Sequence, residues 1–391
     1  MTKAFPMKIS HASLTASLIF FFACESPTST NTASPDYKLE ITDSIRVNYL
    51  GKLNLMDVNP VFERVLLFDP QNMKFVSTDF SGAILSEFGK DKDAPDGFGF
   101  FPMAAGRFTS LENIQVVSSS GIYEYDLEGN LLSSTKVPSN QVLPFSGRID
   151  AKREIQFVNG KILLTGLIAR GEFDKTQPEF YDTFLQLVWA DPITGNYEQF
   201  LNLDPESIFQ NDMSHEPSTL SATFEVVEGQ LYVISGTDPF LNIYSLDPPY
   251  SRLTRIPLQL KDYKLNPGED PTKADPRAIG YDSSFGIIHK LMKVGDKLVI
   301  TYETGYDQED AVRYQENKSN TEWKEFQARV TAKYKLRYQI LNLNGEKLND
   351  SELPNDLSDV FVSRDGALWC LKKENPDIEE DFFTVYKVII K

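Results

Sequence analysis

The sequence predicts an all-β chain folded as a six-bladed β-propeller of four-stranded blades, and three observations predict it. Six short segments share one shape, a turn followed by a run of β-branched and aliphatic residues: VFERVLLFD at 61, LENIQVVSS at 111, VNGKILLTG at 158, VEGQLYVIS at 227, VGDKLVITY at 294 and SRDGALWCL at 363. Their starts lie 50, 47, 69, 67 and 69 residues apart, the recurrence of a supersecondary unit. Each is followed by further alternating runs, joined by pairs such as Ser81-Gly82, Glu128-Gly129 and Asn344-Gly345, which are hairpin signals. Finally, the ends are complementary. The sixth unit finishes at FFTVYKVIIK with no fourth strand, while SIRVNYL (residues 44–50) precedes the first unit without a partner. That strand is expected to complete the last blade from outside and to join the two termini. A single blade is too thin to bury its own apolar face, so the ring must close to be stable. Two β-sandwich domains would leave the sixfold recurrence unexplained, and no shift in composition marks a linker between halves.

In chain order, residues 1–23 have the three parts of an export signal: Lys3 and Lys8, an apolar run over 12–23, and the small residue Ala23 before Cys24. The run is too short to span a membrane, which takes about 20 apolar residues. Residues 24–39 contain ESPTSTNTASPD, small, polar and punctuated by proline, and read as a flexible tether. Residues 40–391 remain for the propeller. The second cysteine, Cys370, sits in the alternating GALWCLKK and reads as a buried structural thiol.

The chain has a formal charge of −17. The first 23 residues hold two lysines and no acid, so the remainder carries −19. Such a surface argues against nucleic acid or anionic lipid as a general partner. The acids are scattered, so solubility accounts for them.

A small residue followed by cysteine resembles the lipobox of bacterial lipoproteins, although Phe21 and Phe22 depart from the usual residues. That resemblance implies cleavage before Cys24, lipidation of its sulfur, and anchoring to the inner or outer membrane of a bacterial envelope. The alternative is a secreted chain with an incidental cysteine. An exported lipobox followed by six units patterned V-x-G-x-L-x-V … Y-x-L-x-G resembles the six-bladed propeller lipoproteins common in Bacteroidota. LSEFGKDKDAPDGFGFF, after the first blade, resembles the Phe-x-x-x-Gly-x-Gly interblade segment of such proteins. The resemblance implies fold and location, and it carries no catalytic residues.

The connections point to a functional face. With blade strands labelled a to d from the axis outward, a–b and c–d turns open on one face, b–c and d–a connections on the other. The a–b turns Asn159-Gly160, Glu228-Gly229 and Asp365-Gly366 are tight, whereas b–c connections swell at about 166–182 and 303–335. The d–a connections run long at about 89–102, 204–220 and 259–283. All the long ones therefore share one rim, and long loops in compact domains are usually functional or disordered. Two of them carry Arg170 and Tyr181, and Arg313, Tyr314, Trp323 and Phe326, residue types that dominate recognition hot spots. They are candidate ligand contacts; the other reading is that they pin their own loops to the rim.

Candidate chemistry is sparse. Asp91, Asp93 and Asp96 in DKDAPDG suggest a calcium loop, but the third acid is one place late and position 12 is Pro102; an interblade turn fits better. SRDGALW resembles a sialidase Asp box with its glycine one place early, and reads as a turn entering a strand. Beyond the export signal there are two histidines, His215 in a loop and His289 in a strand. His289 faces the channel or packs on a blade. No Gly-x-Ser-x-Gly elbow, P-loop or CxxC pair occurs, and no cofactor is implied. The expected function is a lipid-anchored binding propeller for a protein, peptide or glycan. The alternative is a propeller glycoside hydrolase or lyase, with carboxylates and His289 or His215 near the channel mouth.

Overall fold

The computed structural model describes residues 37–391 except 92, 100–101, 103, 110–112, 140–154, 167–171, 279, 281, 376–377 and 379. Residues 1–23, read above as an export signal, and Cys24 lie outside the described residues, as does Arg170.

Six four-stranded antiparallel sheets form the six blades. Blade 1 is β2 (Asn54–Asn59), β3 (Arg64–Asp69), β4 (Lys74–Asp79) and β5 (Ile84–Gly89). Blade 2 is β6 (Arg107–Phe108), β7 (Ile114–Val117), β8 (Gly121–Tyr125) and β9 (Leu131–Lys136). Blade 3 is β10 (Gln156–Val158), β11 (Lys161–Thr165), β12 (Leu185–Ala190) and β13 (Tyr197–Asn202). Blade 4 is β14 (Thr223–Val227), β15 (Gln230–Ile234), β16 (Phe240–Ser245) and β17 (Arg252–Pro257). Blade 5 is β18 (Phe285–Val294), β19 (Lys297–Gly305), β20 (Arg337–Asn342) and β21 (Lys347–Glu352). Blade 6 is β22 (Leu357–Arg364), β23 (Ala367–Lys372) and β24 (Phe382–Ile390), completed from the other end of the chain by β1 (Leu39–Asn48).

The clasp is thus observed, and it starts earlier than the alternation in 44–50 suggested. β1 pairs with β24 from Leu39 opposite Ile390 to Asn48 opposite Phe382, with a register shift between Ile41 and Asp43. The polar stretch Thr42–Ser44 hides this first half of the strand from a pattern reading. It is held because Leu39 is buried in the core between blades 5 and 6.

The turns follow from their residues. Asn159-Gly160, Glu228-Gly229 and Asp365-Gly366 place both residues at positive φ, the geometry whose twist suits a two-residue hairpin. In the outer turns, Asp79 Oδ1 accepts hydrogen bonds from the amides of Ser81 and Ala83. Gly82 then takes φ +85°, and a register shift follows in the ladder. Asp126 with Gly129, and Asn342 with Gly345, repeat the device.

The apolar core is divided among the blade interfaces. Six buried clusters lie one between each neighbouring pair: Phe68, Phe75 and Phe98 with Tyr125 between blades 1 and 2, for example, and Val47, Leu67 and Trp369 between 6 and 1. Phe98 comes from the interblade segment after blade 1 and packs edge-on against Phe75 at 5.7 Å. Cys370 is buried, and burial pushes its thiol up to about 12.

The first strands surround the axis, β2 touching β6 and β22, and β18 touching β14 and β22. Their polar side chains bridge every interface. Asp57 accepts from the Phe108 amide (2.9 Å) and pairs with Arg364 (2.6 Å), joining blade 1 to blades 2 and 6. Arg107 donates to the Ile155 carbonyl. Gln156 accepts from the Val226 amide (3.2 Å), Glu225 from the Lys293 amide (3.1 Å), and Lys290 donates to the Phe361 carbonyl (2.7 Å).

Candidate functional site

Antiparallel order puts the b–c and d–a connections on one face, and on that face the long ones form a continuous layer. Residues 166–184 carry α1 (Pro178–Asp182) and residues 306–336 carry α2 (Gln308–Gln315) and α3 (Asn320–Lys333). Between them run the d–a connections 203–222 and 258–284. Phe180, Tyr181, Phe184, Leu203, Phe209 and Leu220 form a small apolar core of their own beneath the first two. Tyr181 Oη donates to the Lys175 carbonyl (2.8 Å) and accepts from the His215 amide (2.7 Å). Lys175 Nζ reaches Glu216 (3.2 Å) and the Ala278 carbonyl (2.8 Å), tying three connections together. Ser214 and Glu269 form a β-bridge, and Gln315 donates to Asp282 (3.0 Å), linking α2 to the last d–a connection.

His215 belongs to this layer as a packing residue. It is 3 % exposed, lies edge-on to Phe209 and Tyr181, and its Nε2 is 3.0 Å from Asn211 Oδ1. Burial lowers its pKa to about 4. Gly268 runs so close to the ring that a Cβ there would sit 2.9 Å from it.

The insertion in blade 5 is a helical hairpin. Asp307 caps α2 by accepting from the Asp310 amide, and Ser319 with Glu322 forms a capping box on α3. Asp310, fully buried, receives Lys333 Nζ (2.8 Å), Tyr334 Oη (2.8 Å) and Arg329. Burial pushes its carboxyl up, but those hydrogen bonds outweigh burial and hold it below the usual carboxylate range. Tyr306, Tyr314, Trp323, Phe326 and Tyr334 stack into one aromatic cluster, with Trp323 parallel to Phe326 at 5.7 Å.

Beside the hairpin a cleft of about 560 Å³ opens between blades 5, 6 and 1. Its walls are mixed: Leu53, Tyr306, Val330, Leu353 and Val360 are apolar surface, and Lys52, Lys335, Lys373, Glu303, Asp359 and Glu374 bring both signs of charge. His289 Nε2 lies 3.0 Å from Glu303 Oε1, so the histidine adjoins the cleft through that carboxylate.

The predicted contacts therefore divide. Tyr314, Trp323 and Phe326 are brought together, and His289 and Phe326 lie next to the cleft lining. Tyr181 and Phe326 are 5 % and 6 % exposed, and their rings pack among the connections. Trp323 keeps 36 % exposure. Arg313 is half exposed and pairs with Glu309 one turn away (2.9 Å). Asp91 and Asp93 are exposed, and Asp96 is engaged by Lys90, whose hydrogen bond lowers its pKa. The Asp96 carbonyl accepts from Tyr125 (2.8 Å), fixing an interblade turn. Among the described residues no three His, Cys, Asp or Glu side chains converge as a metal site requires. The axial ring Asp57, Arg107, Gln156 and Glu225 was missed by sequence reasoning; each is a polar residue beside apolar ones in a first strand, the one signal that marks it.

These features define a six-bladed propeller with one elaborated face. Among solved structures the chain is similar to a member of the DUF4221 family from Bacteroides vulgatus, with a TM-score of 0.62 and 13% identity over 92% of this chain and 99% of that one. It is also similar to a Bacteroides fragilis protein described as exported, with a TM-score of 0.50 and 12% identity over 92% and 96% of the two chains. At such identities the likeness concerns the fold. No protein-family model and no curated protein matches the sequence.

Proposed function

We propose that the chain is a binding module of the bacterial cell envelope, held by a lipid on Cys24, whose long-connection face takes a protein or peptide ligand in the cleft beside α3. One observation carries the reading: long connections from blades 3, 4 and 5 are built into a packed layer on one face, next to a cleft of about 560 Å³. Among the described residues the opposite face has only short turns. Within the protein, peptide or glycan range, the mixture of aliphatic wall with lysines and carboxylates suits a polypeptide, which offers apolar side chains and both charges. The exported Bacteroides fragilis fold relative supports a place outside the cytoplasm, and the acidic surface supports solubility there.

The test is a thermal-shift and calorimetric screen of envelope peptides and oligosaccharides, repeated with Lys373→Glu and Trp323→Ala. A ligand at 100 times its Kd stabilises by about 2.7 kcal/mol. A peptide-induced shift reduced by Lys373→Glu is expected; peptide binding indifferent to both variants would overturn the site. Turnover of an oligosaccharide that disappears in Glu303→Gln would instead favour a hydrolase using the His289–Glu303 pair. The anchor is read in the same cells, since Cys24→Ser should move the protein from the membrane fraction to the soluble one.

A further inference from the structure

A second concavity lies elsewhere on the molecule, on the circumference between blades 3 and 4. It is a groove of about 670 Å³ bounded by β13 and the residues after it, and by the outer strands β16 and β17 with their turn. Three features set it apart from the ordinary gap between two blades.

Its floor is aromatic and rigid. Phe200 stacks on Trp189 with centroids 5.3 Å apart and planes 7° from parallel. Tyr250 follows at 4.4 Å from Phe200, and Trp189 Nε1 donates to Tyr250 Oη (3.1 Å), which fixes the tyrosine ring. Its inner end is polar. Tyr244, 4 % exposed, lines the groove with a hydroxyl that has no hydrogen-bond partner among the described residues. A buried hydroxyl left unpaired is destabilising, and a ligand hydroxyl would relieve it. Alongside, Arg252 donates to both oxygens of Asp204 (2.7 and 2.6 Å) and to Glu206 (2.8 Å), yet a third of its side chain is exposed. Arg255 pairs with Asp204 from behind (3.0 Å). The third feature is strain: Leu201 at φ +68° and Tyr250 at φ +57° both line the groove. Non-glycine residues resist that region, and it is retained where surrounding structure imposes it, often at ligand clamps.

The chemistry selects a ligand class. The carboxylates of Asp204 and Glu206 offset the two guanidinium groups, so the polar end does not attract an anion. A wholly apolar ligand would leave the Tyr244 hydroxyl unpaired. The Tyr250 ring, braced by Phe200 and Trp189, with a donor-acceptor hydroxyl and guanidinium N–H groups at one end, matches a ring with one apolar face and hydroxyls at its edge. We propose that this groove is a saccharide-binding site that stacks a neutral sugar ring on Tyr250 and bonds its hydroxyls through Tyr244 and Arg252. The site is separate from the cleft beside α3 and does not depend on that reading.

The experiment is isothermal titration of the full chain with neutral oligosaccharides (gluco-, manno-, xylo- and chito-oligomers), with oligogalacturonate and inorganic phosphate as anionic probes. Binding of at least one neutral oligomer is expected. Tyr244→Phe should weaken it about fivefold to tenfold, the loss of one neutral hydrogen bond, without moving the core, since the ring is kept. Tyr250→Ala should weaken it at least as much, and Lys373→Glu in the other cleft should leave it unchanged. If Tyr250→Ala does not fold, Tyr244→Phe decides alone. The proposal is overturned if no neutral oligomer binds, if the anionic probes bind better, or if Tyr244→Phe binds as tightly as the wild type.

Discussion

Two buried titratable side chains, Asp238 and His215, pull stability in opposite directions as pH changes. Asp238, fully buried after β15, has its carboxyl pushed up to about 6 by burial, offset in part by a hydrogen bond from Ser207 and by the charge of Arg255. The folded state therefore binds a proton that the unfolded chain has lost, and its contribution is present at low pH and disappears as pH rises through 6. His215 is lowered to about 4 by burial. Its contribution is present above the unfolded value near 6.5 and disappears as pH falls toward 4. A shift of two units or a little more corresponds to about 3 kcal/mol for each group, so in the wild type the two slopes between pH 4 and 6 oppose one another. Asp238→Asn should remove one and leave a stability that climbs with pH across that window. Urea midpoints at pH 4, 5 and 6 measure it, and an unchanged slope in the variant would show that Asp238 is already ionised at pH 4.

At the scale of the element, the blade 5 hairpin is locked by one carboxylate. Asp310 gathers Lys333, Tyr334 and Arg329 from the far end of α3. The aromatic cluster and the Gln315–Asp282 bond hold the same hairpin from other sides. Asp310→Ala should free the end of α3 at a local expense of about 1–3 kcal/mol, seen as faster amide exchange across residues 307–334 with the blade strands still protected. Unchanged exchange there would mean that the aromatic cluster alone holds the hairpin. This element also shows how far the sequence could be read. Its length and its aromatic residues were visible, because composition is local. Which aromatics stay exposed was not, because burial of Tyr181 is decided by a connection distant in sequence and burial of Phe326 by the folding of its hairpin onto Tyr306 and Tyr314. The groove between blades 3 and 4 was hidden for the same reason: Phe200, Tyr244 and Tyr250 read as strand and turn residues until two blades are placed side by side.

For the molecule as a whole, closure decides stability, and closure was legible because an unpaired strand at one end faced a three-stranded unit at the other. The axial bonds and the six interface cores make each blade depend on both neighbours, and blade 6 owes its outer strand to residues 39–48. That strand supplies Leu39, Ile45 and Val47, all buried, to the cores on both sides of blade 6. At about 1.5–3 kcal/mol for each buried aliphatic side chain, their removal costs an amount comparable to the whole stability of a typical domain, about 5–15 kcal/mol. It would also uncover β24 as a long edge, and exposed edges pair with other chains. A chain starting at residue 49 is therefore expected to be largely unfolded or associated, whereas one starting at residue 37 should be a folded monomer with a single cooperative transition. Size-exclusion chromatography and circular dichroism melts of the two chains compare them directly. A monomeric chain from residue 49 with an unchanged melting temperature would mean that the interface cores hold the ring shut without the clasp.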